Sequence, residues 1–114
     1  MAIKQLSIDD HITVLNGNTI IRVISVTRVT VLHAIANNIR FLRNYDDSDN
    51  VIRRVGIFRV GLYSYRLSTD SDIEIYQNHQ MLDFINLKLS NKNFVNQMLT
   101  EDIRAIQDII TSYI

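Results

Sequence analysis

The chain has 114 residues, 46% of them hydrophobic and 21% charged, with a formal net charge of zero; these values are typical of one globular domain and exclude a disordered or strongly polyionic chain. The absence of cysteine excludes disulfides, thiolate zinc sites, iron–sulfur clusters and a cysteine nucleophile. Residues 1–10 lack the apolar stretch of a secretory signal, and no apolar run approaches the roughly 20 residues of a membrane-spanning helix. We therefore expect a protein located in the cytoplasm and without membrane contact. We also expect the chain to form a single domain of the α+β class over residues 1–114.

The first predicted element is a β-hairpin. β-Branched residues dominate positions 11–15 and 19–27, which flank Asn16, Gly17 and Asn18. Asn and Gly adopt the positive φ angles of a tight turn more readily than other residues. The sequence therefore predicts two strands joined at this turn.

A helix is predicted directly after the hairpin, over about residues 29–43. Its apolar residues recur at intervals of three and four positions, the spacing of one helix face. They are Val31, Leu32, Ile35, Ala36, Ile39 and Leu42. Thr27 or Thr30 is a suitable N-cap for this helix.

A polar loop over 44–50 separates the predicted helix from a second β-rich stretch over 51–67. Gly56 and Gly61 interrupt this stretch, and we interpret them as bulges or a bend because neither has turn-forming neighbours. A turn over 69–72 and a short last strand over 73–76 are expected to follow.

The remainder of the chain is predicted to be helical. Three apolar stripes at helical spacing follow one another: Met81, Leu82, Ile85 and Leu89; Phe94, Val95, Met98 and Leu99; Ile103, Ile106, Ile110 and Ile114. Ser90 is a possible cap for the second stripe, and Thr100, followed by two acidic residues, is a start signal for the third. We expect an α+β fold in which a small antiparallel sheet carries one helix after the hairpin and two or three C-terminal helices packed on it.

Two motif-like segments lack the residues that their chemistry requires. Gly56 and Gly61 have the glycine spacing of a phosphate-binding loop, but neither the lysine nor the hydroxyl residue of that loop follows Gly61. The loop that holds Asp46, Asp47 and Asp49 lacks the glycine and the distant glutamate of an EF-hand. We interpret the two segments as ordinary strand and loop.

Three carboxylates form a weak candidate metal site. Asp70, Asp72 and Glu74 alternate along the predicted strand over 73–76 and the turn before it, which would place them on one face. Three such groups can hold magnesium, as two-metal nucleases require; a solvated strand face explains the same alternation. A metal-dependent nuclease is therefore the third hypothesis, and we otherwise expect no metal, no catalytic residue and no cofactor.

The zero net charge conceals a division along the chain. Up to Arg66, nine basic residues face five acidic ones, a net of +4; beyond it, three face seven, a net of −4. Such asymmetry supports nucleic-acid contact or head-to-tail association of copies, and it is also compatible with pairing within one fold.

Guanidinium groups and aromatic rings alternate in the central β-rich stretch. The candidate nucleic-acid surface consists of Arg53, Arg54, Arg59, Tyr63, Tyr65 and Arg66. A regular strand would place Arg59, Tyr63 and Tyr65 on one face, suited to stacking on bases and contacting phosphates. A bulge would break that face, and Arg and Tyr also occur on ordinary solvated sheets. A nucleic-acid-binding regulator is the second hypothesis.

The last predicted helix has an apolar arc wide enough to pack against a neighbouring molecule. The candidate interface residues are Ile106, Ile109, Ile110, Tyr113 and Ile114, and ordinary core membership is the alternative for each. Because no catalytic motif is complete, the leading expectation is a non-enzymatic protein-interaction or assembly module that binds copies of itself or another protein. The high isoleucine and asparagine content is typical of an AT-rich genome, so a viral or mobile-element origin is expected.

Overall fold

The computed structural model describes residues 3–56 and 63–114, which divide into two compact units, Met1–Asn78 and His79–Ile114. Among the described residues, the strands come first and three helices follow them. The predicted α+β class with antiparallel strands is confirmed. The predicted position of one helix after the hairpin is wrong, because all the helices lie in the C-terminal part of the chain.

The strands are β1 (Ile3–Gln5), β2 (His11–Asn16), β3 (Thr19–Val29), β4 (His33–Ala36), β5 (Ile39–Leu42), β6 (Asn44–Asp46) and β7 (Ser64–Leu67). The helices are α1 (Asp70–Leu89), α2 (Lys92–Asn96) and α3 (Thr100–Ser112). Five strands form an antiparallel sheet in the order β5-β4-β3-β2-β7, and β1 pairs with β6.

The predicted hairpin is confirmed as β2 and β3. Asn16 lies opposite Thr19, so the loop consists of Gly17 and Asn18, and Gly17 has a φ of +61°. Glycine adopts this left-handed conformation without steric cost. Nothing lies within 4 Å of a Cβ built at Gly17, so the backbone angle alone favours glycine there.

The helix predicted over 29–43 is instead a second hairpin, formed by β4 and β5. Ala36 lies opposite Ile39, and the two loop residues Asn37 and Asn38 have φ angles of 50° and 62°. Asparagine tolerates the left-handed region because its short amide bonds locally to the backbone. The two-residue turn shifts the apolar alternation of β5 relative to that of β4, and this shift produced the apparent helical spacing.

Hydrogen bonds from the segment 52–55 close the five-stranded sheet into a small barrel. The Ile52 amide donates to the Tyr65 carbonyl of β7 at 3.0 Å. On the other side, the Leu42 amide donates to the Arg53 carbonyl and the Val55 amide to the Arg40 carbonyl, each at 2.8 Å. Segment 52–55 therefore joins β7 to β5, the two outer strands of the sheet, and covers the unpaired backbone groups that each would otherwise expose.

The barrel interior is the hydrophobic core of the first unit. Its buried members are Leu6, Ile12, Val14, Ile24, Val26, Ala34, Ala36, Phe41, Tyr45, Ile52 and Tyr65. Most alternate along their strands, as inward-facing residues of a barrel do. Phe41 and Tyr65 meet edge to face with ring centroids 5.0 Å apart, a favoured arrangement of aromatic pairs.

Helix α1 begins where a turn and a short strand were predicted, over 69–76. The Thr69 hydroxyl accepts from the Asp72 amide at 3.1 Å, and the Asp72 carboxylate accepts from the Thr69 amide at 3.1 Å. This reciprocal pair has the arrangement of a capping box, here with aspartate as the acidic member. It satisfies two amides and starts the helix at Asp70, so the expected strand over 73–76 is wrong.

The shorter helices begin close to the predicted positions. The cap of α2 is Asn91 and not Ser90, because the Asn91 side chain accepts from the Phe94 amide at 3.2 Å. Helix α3 begins at Thr100 with Glu101 in its first turn, although no side-chain hydrogen bond caps it. The acidic first turn complements the positive end of the helix dipole.

Candidate functional site

The second unit, His79–Ile114, exposes nearly all of its apolar side chains. None of its residues is buried. Thirteen large apolar side chains of this unit are between 39% and 98% exposed. They are Met81, Leu82, Phe84, Ile85, Leu87, Leu89, Phe94, Leu99, Ile103, Ile109, Ile110, Tyr113 and Ile114. Single exposed apolar residues are normal in folded proteins, but contiguous sets of this size mark interaction surfaces.

Helix α1 contributes apolar residues on two sides. Met81, Ile85 and Leu89 recur every four residues, whereas Phe84 and Leu87 lie three apart on a different side. At 3.6 residues per turn, the two sets together cover well over half of the helix circumference. A helix that is apolar over so wide an arc is normally surrounded by other elements.

Helix α3 contains most of the predicted interface residues. Ile109 and Ile110 are 60% and 55% exposed, and Ile106 is half-buried. Tyr113 and Ile114 follow the helix and are more exposed still. Ile106, Ile109 and Ile110 lie on one side of α3, because Ile109 and Ile110 are three and four positions from Ile106.

The second unit is nearly neutral. Lys88, Lys92 and Arg104 oppose four carboxylates, a net charge of −1, and the first unit carries nine basic and eight acidic residues, a net of +1. The division into +4 and −4 at Arg66 therefore does not coincide with the structural units. The Lys88 ammonium lies 5.7 Å from the Phe84 ring centroid and 5.5 Å from that of Phe94, within the range of cation–π attraction.

The predicted Arg and Tyr surface is dispersed by the fold. Tyr65 is in the core, and its hydroxyl accepts from Arg54 Nη1 at 3.2 Å. Arg66 faces the opposite side of β7 and pairs with Asp72. Arg53 and Tyr63 are exposed, and Arg59 lies outside the described residues.

The predicted carboxylate cluster is dispersed as well, because its members lie on helix α1 and not on a strand. Asp70 and Glu74 are exposed, whereas Asp72 is 3% exposed and turns toward the barrel. Within residues 3–56 and 63–114, no three His, Cys, Asp or Glu side chains come together as a metal site requires. The structural premise of the nuclease hypothesis is therefore absent from the described part of the chain.

Asp72 joins the start of α1 to the barrel. Its Oδ1 accepts from Arg66 Nη2 at 2.6 Å, and its Oδ2 accepts from Arg66 Nε at 3.1 Å and from the Thr13 hydroxyl at 3.0 Å. Burial raises the pKa of the Asp72 carboxyl, but hydrogen bonds from Arg66, the Thr69 amide and Thr13, together with the Arg66 charge, outweigh burial and lower the pKa below its ordinary value. These contacts give Asp72 a structural role.

The acidic loop after β6 uses its carboxylates locally. Asp46 accepts from the amide and the hydroxyl of Ser48 at 2.9 and 2.7 Å, and these bonds lower the Asp46 pKa. Asp47 pairs with Lys4 at 3.3 Å. A cavity of about 470 Å³ lies between this loop, the first hairpin turn and β7. Its polar lining includes Asn50, which already accepts from the Leu67 amide.

No helix within residues 3–56 and 63–114 combines the length and the apolar character needed to cross a bilayer. Comparison of the chain with models of protein families, with curated proteins and with solved structures finds no match. The exposed apolar surface of the second unit is therefore the feature that the fold itself singles out. Sequence reasoning located its α3 part but missed Phe84 and Leu87, although the concentration of apolar residues over 81–89 was a usable signal.

Proposed function

We propose that this chain is an assembly module that associates with copies of itself through the helices of its second unit. The observation that carries the proposal is the thirteen exposed apolar side chains of His79–Ile114, in a unit with no buried residue. The proposal assigns no catalytic role to any residue.

The exposed apolar area is of the size that a stable interface requires. A fully exposed aliphatic or aromatic side chain offers roughly 100 Å² of apolar surface. At the exposures observed, the thirteen side chains present on the order of 700 Å². A standard interface buries about 800 Å² per partner, and the largest apolar patch of a typical monomer is about 300 to 600 Å².

A second copy of the chain fits this surface better than a strongly charged partner. The second unit has a net charge of only −1, so two copies placed face to face do not repel strongly. An interface around a twofold axis brings each apolar arc against its own copy, and homodimer interfaces are more apolar than transient ones. Pairing α1 and α3 across such an axis would bury the wide arcs of both helices.

The test is the native mass of the purified protein, measured by light scattering and native mass spectrometry across a concentration series. We expect a multiple of the monomer mass. Ile110→Glu should shift the equilibrium toward monomer, because Ile110 is 55% exposed and burying the exposed part contributes about 1 kcal/mol per copy. The loss of about 2 kcal/mol per dimer weakens association by about 30-fold, before the cost of burying the new charge.

Thr111→Glu is the matched control, because it adds the same charge to the next residue of α3, outside the apolar arc. We expect it to leave the native mass unchanged. Equal dissociation of the two variants would indicate a damaged helix and not a damaged interface. A wild-type protein that stays monomeric at the highest accessible concentration contradicts the proposal.

A further inference from the structure

The five strands of the barrel contain arginines but no acidic residue. No Asp or Glu occurs between Asp10 and Asp46, or between Asp49 and Asp70. These two intervals contain β2, β3, β4, β5 and β7. Acidic residues of the first unit lie in turns, in the loop after β6 or at the start of α1. The wall of the barrel is therefore positively charged.

Three arginines gather on the outer face of this wall. Arg28 on β3 lies opposite Ile35 on β4, which lies opposite Arg40 on β5. Arg53 lies beside Leu42, whose amide donates to the Arg53 carbonyl at 2.8 Å. Adjacent strands are about 4.8 Å apart and diagonal neighbours about 7 to 8 Å. Arg40 therefore lies roughly 10 Å from Arg28 and roughly 7 to 8 Å from Arg53, whereas Arg28 and Arg53, which are three strands apart, are separated by roughly 15 Å; we call the three arginines the basic wall.

The guanidinium groups of the basic wall are available to a partner. All three arginines are exposed, and none of the three side chains has an ion pair or hydrogen bond with the described residues, 3–56 and 63–114. Arg43 and Arg66 contrast with them, since Arg43 donates to the Leu6 and Thr30 carbonyls and Arg66 pairs with Asp72. The charges of Arg28, Arg40 and Arg53 are thus not used to hold the fold together.

We infer that the basic wall binds the phosphate backbone of a single-stranded nucleic acid. Three like charges on neighbouring strands that contain no acidic residue favour a partner with regularly repeated negative charge. All three are arginine, whose planar group binds phosphate through two parallel hydrogen bonds and also stacks on bases. Ile35 and Leu42 lie between them and offer apolar surface on which a base or sugar can rest.

This surface differs from the Arg and Tyr set predicted from the sequence and shares only Arg53 with it. It also lies on the first unit, so its occupation is a property separate from self-association through the second unit. Binding should be sequence-tolerant, because the contacts are made to phosphates and to the faces of bases.

The test is fluorescence anisotropy with labelled oligo(dT) and oligo(U) of about 12 nucleotides. Three phosphate contacts predict a slope of about −2 for log K against log salt, or roughly 20-fold weaker binding at 200 mM than at 50 mM salt. Arg28→Gln combined with Arg40→Gln should reduce the slope to about −0.7 and weaken binding at low salt by more than tenfold.

Arg104→Gln is the control for the loss of an arginine charge as such, because it removes one charge from an exposed position on α3 and should leave binding unchanged. Ile35→Glu is a second disruptive variant, which places a carboxylate between Arg28 and Arg40 and should also weaken binding. Circular dichroism verifies that each variant is folded, and native mass verifies that assembly is unaffected.

Three results overturn the inference. The first is no binding of either oligonucleotide at low salt, and the second is binding that the Arg28→Gln, Arg40→Gln variant leaves intact. The third comes from a labelled polyglutamate peptide of matched length, which should bind at least tenfold more weakly than the oligonucleotides. Equal or tighter binding of that peptide would assign the basic wall to an acidic protein partner instead.

Discussion

Replacing Asp72 with asparagine tests how the first turn of α1 is held against the barrel. The substitution keeps the size of the side chain and its ability to accept from the Thr69 amide, but it removes the charge that pairs with Arg66 through two hydrogen bonds of 2.6 and 3.1 Å. Hydrogen bonds to charged groups contribute about 1.5 to 3 kcal/mol. The Arg66 side chain is 38% exposed and regains water when its partner is lost, so the lower part of this range applies.

We therefore expect Asp72→Asn to lower the free energy of unfolding by about 2 kcal/mol. For a domain of this size the melting temperature should fall by about 8 °C. Urea unfolding followed by circular dichroism at fixed protein concentration measures the change. Asp70→Asn is the matched control: Asp70 is exposed on the same helical turn, and its loss should cost no more than about 0.5 kcal/mol through the helix dipole.

A double-mutant cycle separates the ion pair from the helix cap. Arg66→Gln alone, and combined with Asp72→Asn, should give a coupling energy of about 1 to 2 kcal/mol between the two residues. If Asp72→Asn costs no more than Asp70→Asn, or if the coupling energy is near zero, then the pair does not hold α1 in place and the structural role assigned to Asp72 is wrong.

Three further predictions concern acid stability, the second turn and the core. Because the pKa of Asp72 is lower in the folded state than its ordinary value, its stabilising contribution is present at neutral pH and is lost as pH falls through the acidic range; thermal melts at decreasing pH should show wild type and Asp72→Asn converging. Asn38→Val should cost about 1 to 2 kcal/mol, because φ is 62° there, while Asn38→Gly should be neutral or slightly stabilising in the same urea titration. Phe41→Ala should cost about 3 to 5 kcal/mol, since Phe41 is fully buried, and a cost below about 1 kcal/mol would argue against a packed barrel interior.

Local signals in the sequence predicted the first hairpin and the last helices, because the information needed lay within a few residues. Gly17 at a turn and the acidic first turn of α3 each act on the adjacent backbone. The helix predicted over 29–43 is wrong because the decisive signal there is a turn and not the apolar spacing. Apolar spacing cannot distinguish a helix from two short strands unless the turn between them is recognised, and Asn37 with Asn38 is a less familiar turn signal than Asn-Gly.

The candidate sites depended on information that no local pattern contains. Strand alternation predicts one shared face for Arg59, Tyr63 and Tyr65, but only the closed barrel determines that the Tyr65 side chain lies in the interior. The sequence groups Asp72 with Asp70 and Glu74 only if all three lie on a strand, and no local pattern predicts the bond from Thr13, 59 residues away, to Asp72. The wide apolar arc near Ile110 was visible because it depends only on helical spacing.

Closure of the barrel also sets the order in which its parts can form. The hairpin turns of β2 with β3 and of β4 with β5 each enclose two residues, whereas Thr13 meets Ser68 across 55 residues of chain. Joining chain ends over the longer distance costs about 3 kcal/mol more in entropy, so the hairpins should nucleate folding and the pairing of β2 with β7 should come late. Chevron plots for substitutions at Gly17 and at Thr13 would distinguish early from late structure. A late step of this kind leaves the barrel interior transiently accessible to water, and Asp72 can bond to Thr13 only once that step has brought β2 beside β7.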